Sequence, residues 1–154
     1  MPMPATDVSI ANQLKKEHNH IDKVTRKIEK LVAEIKSRRA LDWNSSLLKN
    51  LCSLCDHLEK HFEFEEKGGF MEEVMKAQPN VNPQVEALHR DHQILVYEIN
   101  DLFRRAERLI LDNGPTTLEI GEDIKHFLLS LRDHERKENA LVLRVFLDDV
   151  GMID

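Results

Sequence analysis

Hydrophobic residues recur at alternating spacings of four and three along four long segments of the chain. This spacing places them on one face of an α-helix and is typical of the seams of a helical bundle. The four stripes run over residues 14–35, 47–65, 88–109 and 120–145, with a short helix or turn expected at 70–77. No segment alternates as a strand does. The pattern therefore predicts an all-α fold, an up-down-up-down four-helix bundle, with Asp42 or Asn44 as the cap of the second helix.

Polar side chains interrupt these seams at six positions. A buried polar group without a partner destabilises the folded state by on the order of 1 to 3 kcal/mol, and by more when it is charged. Polar residues in a seam are therefore expected to have a structural or functional role. The other four of the eight histidines, His20, His57, His89 and His126, fall beside the stripes and are expected to point outward or to lie at a flank. The six seam positions are His18, His61, Glu65, His92, His134 and Glu138.

The two halves of the chain repeat each other. His18 and His92 are 74 residues apart, and the pairs His61/His134 and Glu65/Glu138 are each 73 residues apart. Each half is therefore predicted to be a helical hairpin with one lone His and one His-x-x-x-Glu pair, and two hairpins give a pseudo-twofold bundle. Antiparallel neighbours would place all six residues at one level of that bundle.

The six residues suggest a binuclear metal site. In His-x-x-x-Glu both side chains lie on one helix face, about 6 Å apart along the axis at roughly 1.5 Å of rise per residue. Four imidazoles and two carboxylates do not saturate two octahedral ions, but they suit two ions with carboxylate bridges, a solvent-derived bridge and vacant positions. This ligand chemistry favours iron, with manganese or zinc as alternatives.

Composition and charge narrow the function further. The chain has 154 residues, the size of one domain, and its formal net charge of −6 disfavours nucleic acid or an anionic membrane as a partner. The longest apolar runs have four residues, far short of the roughly 20 that a membrane span needs. The first seven residues have no secretory pattern, and Cys52 and Cys55 do not form a disulfide framework, so a reducing cytoplasm is the expected compartment.

Four segments carry a resemblance to a known family. The runs LKKEHNHI (14–21), HFEFEE (61–66), DHQIL (91–95) and HERKEN (134–139) resemble the hemerythrin-like HHE cation-binding domain, over about residues 8–148 within a single domain spanning 1–154. The resemblance implies a non-heme di-iron centre whose ligands are the six seam residues. Since His92 is alone in its seam, the symmetric ligand set is more similar to bacterial di-iron proteins of nitric-oxide response and iron-sulfur-cluster repair than to oxygen carriers.

Three functions remain open on this basis. The first is binding or sensing of O2, NO or peroxide, or handling of iron under oxidative or nitrosative stress. The second is an oxidoreductase that turns over peroxide or NO, and the third is a metal-free helical scaffold for a protein partner. A ferritin-like reading of Glu86-x-x-His89 is disfavoured because both side chains flank their stripe.

Several residues beside the seams have two interpretations. Cys52 and Cys55 are expected to pack at the edge of the core, since they lie well inside the second helix and no second pair exists. Five polar residues next to the predicted ligands are either partners that orient imidazoles or parts of a solvated face, and the solvated face is the expectation for any one of them. They are Glu17, Glu66, Asp91, Asp133 and Asn139.

Overall fold

The computed structural model describes residues 5–35, 40–67, 69–109 and 115–147. The predicted domain ends at residues 1 and 154, and the core limit at 148, lie outside these ranges. Within the ranges no helix has the length and apolarity needed to cross a membrane. The helices are α1 (Ala5–Ala33), α2 (Ala40–Lys67), α3 (Phe70–Ala77), α4 (Asn82–Glu107) and α5 (Pro115–Val142), with a 3-10 turn at Pro79–Val81 and a π-helical turn at Leu143–Leu147.

The four long helices form the predicted bundle. Helix α1 packs against α2 and α5, and α4 packs against the same two helices, so the four axes stand at the corners of a square. Short connections make α1 antiparallel to α2 and α4 antiparallel to α5, and α3 with the 3-10 turn lies in the longer connection between the two hairpins. No strand occurs in the described part of the chain. The prediction of an all-α, up-down-up-down four-helix bundle is confirmed, and the third and fourth predicted helices are α4 and α5.

The apolar core is divided into two clusters. The larger cluster contains Ile21, Leu58 and Leu95, and the smaller one contains Leu14 and Leu88 at the other end of the bundle. Along α1 and along α4, the lone seam histidine lies between a residue of one cluster and a residue of the other. The polar seam residues thus form one layer between two apolar layers, as their predicted common level requires.

Helix α3 covers the end of the bundle nearest to this polar layer. The turn before it contains Gly69, whose φ of +98° is a left-handed conformation that glycine adopts without strain. Phe70, Met71 and Val74 of α3 are buried and join the smaller core cluster with residues of α1, α4 and α5. Their burial separates the polar layer from solvent at this end.

The predicted cap of the second helix is wrong. Helix α2 begins at Ala40, so Asp42 and Asn44 both lie inside its first turns. The Nδ2 group of Asn44 instead donates a hydrogen bond to the carbonyl of Leu109 at 3.1 Å. Asn44 therefore links the beginning of α2 to the residues that follow α4. Its amide is used for this contact between helices and not to cap α2.

Candidate metal centre

The structure brings all six seam residues together in the interior. His18 comes from α1, His92 from α4, and each of α2 and α5 contributes a His-x-x-x-Glu pair. All six side chains are buried, and Glu65 and Glu138 are completely inaccessible to solvent. The four histidines outside the seams are exposed or half-buried, as predicted. Whether the six bind metal remains a prediction, but their convergence in one layer is observed.

The side chains form two overlapping groups. His18, His61, Glu65 and Glu138 make up the first group, while the second joins His92 and His134 to the same Glu138; within each group the candidate ligand atoms lie within 4.8 Å of one another. The shared residue, Glu138, has its Oε1 2.9 Å from His134 Nε2 and 3.6 Å from His18 Nε2. Its carboxylate therefore lies where it can bridge two ions.

Glu65 has a similar position from the opposite hairpin. Its Oε1 lies 2.6 Å from Nε2 of His61, and its Oε2 lies 3.8 Å from Nε2 of His92. Each carboxylate thus touches an imidazole of its own helix and faces at least one from another helix. Two buried carboxylates, each close to imidazoles of two helices, match the arrangement expected from the repeat.

Three of the four imidazoles are held from behind by a hydrogen bond at Nδ1. His61 donates to Glu17 at 2.6 Å, His134 donates to Asp91 at 3.2 Å, and His18 donates to Asn139 at 3.1 Å. Glu17 and Asp91 are equivalent in the repeat, each preceding the lone histidine of its hairpin. These bonds place the proton on Nδ1 and direct the Nε2 lone pair inward, which is the orientation that metal-binding imidazoles require.

The expectation of a solvated face is therefore wrong for three of the five flanking polar residues. Glu17, Asp91 and Asn139 orient buried imidazoles. Glu66 approaches His92 Nδ1 at 3.7 Å, which is too long for a hydrogen bond. Only Asp133 behaves as expected, since it is exposed and pairs with Lys137 at 3.3 Å.

Inside the ring of imidazoles, the described residues supply no hydrogen-bond donor to the polar atoms. The Nε2 atoms of His18 and His61 are 3.2 Å apart, although each presents a lone pair when its proton is on Nδ1. Both oxygens of Glu65 and both of Glu138 lack a hydrogen-bond partner among the described residues, despite their close approach to imidazoles. Lone pairs that face each other in a buried space repel, and a cation between them removes that repulsion. The residues present therefore fit a bound metal.

Burial keeps two of the imidazoles neutral. It lowers the pKa of His92 to about 2, with a further decrease from the neighbouring His134 and His61. Burial also lowers the pKa of His134 to about 4, although the hydrogen bond and charge of Asp91 oppose that shift. A neutral imidazole is the form that coordinates a metal ion, so the environment prepares both side chains for that role.

The stability of the metal-free protein is expected to fall as the pH decreases from about 6.5 to 4.5. In that range the unfolded chain protonates His92 and His134, while the folded protein does not. Glu135 acts in the opposite direction. Burial raises its pKa to about 7, so over this range the folded protein binds a proton there that the unfolded chain does not bind. The net slope therefore grows from near zero at pH 7 to about 1.4 kcal/mol per pH unit near pH 5, so urea unfolding should show a loss of about 1 to 2 kcal/mol between these two pH values.

Glu135→Gln provides a check on this interpretation. The variant lacks the opposing carboxyl, so its stability should fall more steeply over the same interval. A free energy of unfolding that is constant or increases toward pH 5 in the metal-free wild type would contradict the burial of two neutral imidazoles.

Sequence reasoning missed two residues of the site. Glu135 is buried near His18 and Asp22, and it lies four residues after the seam residue Leu131, which was the available signal. Phe62 stacks on the ring of His92 with centroids 4.0 Å apart and planes 11° from parallel. Its position directly after His61 gave no sign of this contact, because the stacking depends on how α2 and α4 face each other.

The remaining candidate motifs lie outside the centre. Cys55 is buried and Cys52 is exposed; burial, with the neighbouring Cys52 as a smaller cause, raises the pKa of Cys55 to about 11, so its thiol stays protonated. This agrees with packing at the edge of the core. Nδ1 of His89 contacts the carboxylate of Glu66, and Glu86, of the ferritin-like motif, is exposed. The ferritin-like interpretation therefore gains no support.

Fold and site together define a class of helical-bundle proteins with a buried histidine and carboxylate centre for cations. Residues 9–146 match the family model described as the hemerythrin HHE cation binding domain. The chain belongs to this family. No curated protein and no solved structure matches it significantly.

Proposed function

We propose that this chain is a non-heme di-iron protein that binds or senses O2, NO or peroxide, or handles iron under oxidative or nitrosative stress. The observation that carries the proposal is the buried set of lone pairs without donors, arranged in two groups that share Glu138. Membership of a cation-binding family supports the same conclusion. His18, His61, Glu65, His92, His134 and Glu138 are the proposed ligands.

The donor set favours two ions over one. Four imidazole nitrogens and four carboxylate oxygens exceed the needs of a single octahedral ion and leave two such ions incomplete. Nitrogen and oxygen donors without thiolate suit iron, and also manganese or zinc. When bound, a pair of iron ions supplies redox chemistry and positions open to solvent or to a small molecule.

The protein environment limits what can reach the centre. The proposed ligands lie between two apolar clusters, and α3 covers the nearer end of the bundle. Such surroundings exclude bulk water and large substrates, while small uncharged molecules cross apolar packing readily. This supports O2, NO or peroxide as the ligand, whereas nucleic acid and membrane surfaces are not proposed as partners of an acidic chain.

Exposure of the reduced protein to O2 or NO is expected to change its visible absorption. The protein is loaded anaerobically with two equivalents of Fe(II), and the spectrum is recorded before and after each gas is added. Zinc-loaded protein is the control, because zinc has no redox chemistry and should give no change. An iron-loaded protein whose spectrum is identical before and after both gases would contradict the proposal.

The same preparation separates the other two functions. Decay of many equivalents of peroxide or NO per iron pair would show an oxidoreductase, whereas a stoichiometric reaction favours binding or sensing. Elemental analysis that finds no transition metal, together with no uptake of Fe(II), would favour the metal-free scaffold.

A further inference from the structure

One imidazole of the proposed centre is held differently from the other three. His18, His61 and His134 each donate a hydrogen bond from Nδ1 to a side chain behind them. The Nδ1 of His92 is buried without any partner among the described residues, and the nearest carboxylate oxygen, Oε2 of Glu66, is 3.7 Å away. His92 therefore lacks the bond that fixes the proton of its neighbours on Nδ1.

The reason lies at the surface of the bundle. The other oxygen of Glu66 contacts Nδ1 of His89, whose side chain is 50% exposed. His89 lies one helical turn before His92 on α4, so the two imidazoles present their Nδ1 atoms to one carboxylate. In this structure the surface imidazole holds the carboxylate, and the buried one is left without it.

The equivalent position in the other hairpin has no such competition. Asn139 follows Glu138 as Glu66 follows Glu65, and it accepts the hydrogen bond of His18 at 3.1 Å. The residue equivalent to His89 in the other hairpin, 74 positions earlier, is Lys15, which has no imidazole. Among the described residues, the sharing of a carboxylate therefore occurs in one half of the repeat.

Phe62 does not replace the missing bond. Its ring lies flat against His92, and this contact restrains the plane of the imidazole. A stacked ring offers no acceptor to Nδ1, so the proton of His92 can lie on either nitrogen. When the proton is on Nε2, the lone pair points away from the proposed metal and the residue cannot bind it.

We infer that Glu66 is a positioning residue whose carboxylate exchanges between His89 and His92. Of the two proposed ions, the one that His92, His134 and Glu138 would hold is therefore the more readily released. The inference rests on the proposed di-iron function for the presence of the ions. His89 then acts without touching the ion. Because it retains Glu66 at the surface, His92 is less well oriented and binds its ion more weakly.

The test is release of iron from the loaded protein into an excess of ferrous chelator under anaerobic conditions. The wild type should release two ions in two phases, one ion in each. Glu66→Ala should accelerate the faster phase by roughly tenfold, the lower end of the effect of losing a residue behind a ligand. His89→Ala should slow that phase, because Glu66 is then free to accept the proton of His92. His126→Ala, another exposed histidine, is the control and should match the wild type.

A second measurement requires no metal. The 15N chemical shifts of the imidazoles in the metal-free full-length protein report which nitrogen carries the proton. His89→Ala should increase the Nδ1-H form of His92, Glu66→Ala should decrease it, and His126→Ala should leave it unchanged. Metal-release rates or His92 shifts that do not respond to either substitution would overturn the inference.

The two measurements separate this inference from the proposed function. Two bound ions with a His92 that is insensitive to Glu66 and His89 would leave the di-iron proposal intact and refute the sharing. A His92 that responds as expected in a protein that takes up no iron would refute the di-iron proposal while showing that Glu66 is shared.

Discussion

Glu138→Ala is expected to reduce the iron content from about two ions per chain to nearly none, since its carboxylate belongs to both groups of candidate ligands. His61→Ala removes a ligand of the first group only and should lower the content to about one ion or less. Both values are measured by elemental analysis after anaerobic loading and removal of free metal. The graded result reflects the shared position of Glu138 between the two groups.

Two controls make this result specific. His57→Ala and His126→Ala remove imidazoles that lie outside the seams, and their iron content should equal that of the wild type. The metal-free Glu138→Ala protein should be no less stable than the metal-free wild type, because the substitution removes a buried carboxylate that has no hydrogen-bond partner in the described part of the chain. Equal loss of iron in all four variants would show that the seam assignment does not identify the ligands.

The helices and the convergence of the six polar residues could be predicted because both depend on period alone. A residue that keeps the spacing of a seam faces the interior wherever the helix begins, so His18 and His92 were placed correctly despite the error of a few residues at the start of α2. The repeat then fixed the common depth, because equivalent residues of two hairpins lie at the same level of the bundle. Neither step required knowledge of helix ends.

The partners behind the imidazoles could not be predicted in the same way. Asp91 and Asp133 each precede a seam histidine, yet only Asp91 hydrogen-bonds to an imidazole, while Asp133 is exposed beside Lys137. Both residues lie at the edge of a helix face, where a small rotation of the helix decides between solvent and a neighbouring helix. Periodicity defines the centre of a face well and its edges poorly.

Loading with Fe(II) is expected to raise the free energy of unfolding by about 4 kcal/mol per ion when free metal exceeds the dissociation constant about a thousandfold. For a chain of this length, each kcal/mol corresponds to roughly 2 to 4 °C in the unfolding midpoint, so two ions should raise the midpoint by more than about 10 °C. The physical reason is that the metal-free centre holds lone pairs without donors in a buried layer, and the ions provide the missing charge. Anaerobic differential scanning calorimetry with and without metal measures the shift.

The double substitution Glu65→Gln, Glu138→Gln tests the origin of that stabilisation. The amides keep the volume of the carboxylates and supply N-H donors to the Nε2 atoms of His61 and His134, which now face acceptors at 2.6 and 2.9 Å. The metal-free variant should therefore unfold at a higher temperature than the metal-free wild type, and Fe(II) should no longer raise its midpoint. If iron stabilised the variant as much as the wild type, the ions would bind elsewhere on the chain. If iron left the wild-type midpoint unchanged, the buried carboxylates would have to be stabilised by something other than a metal.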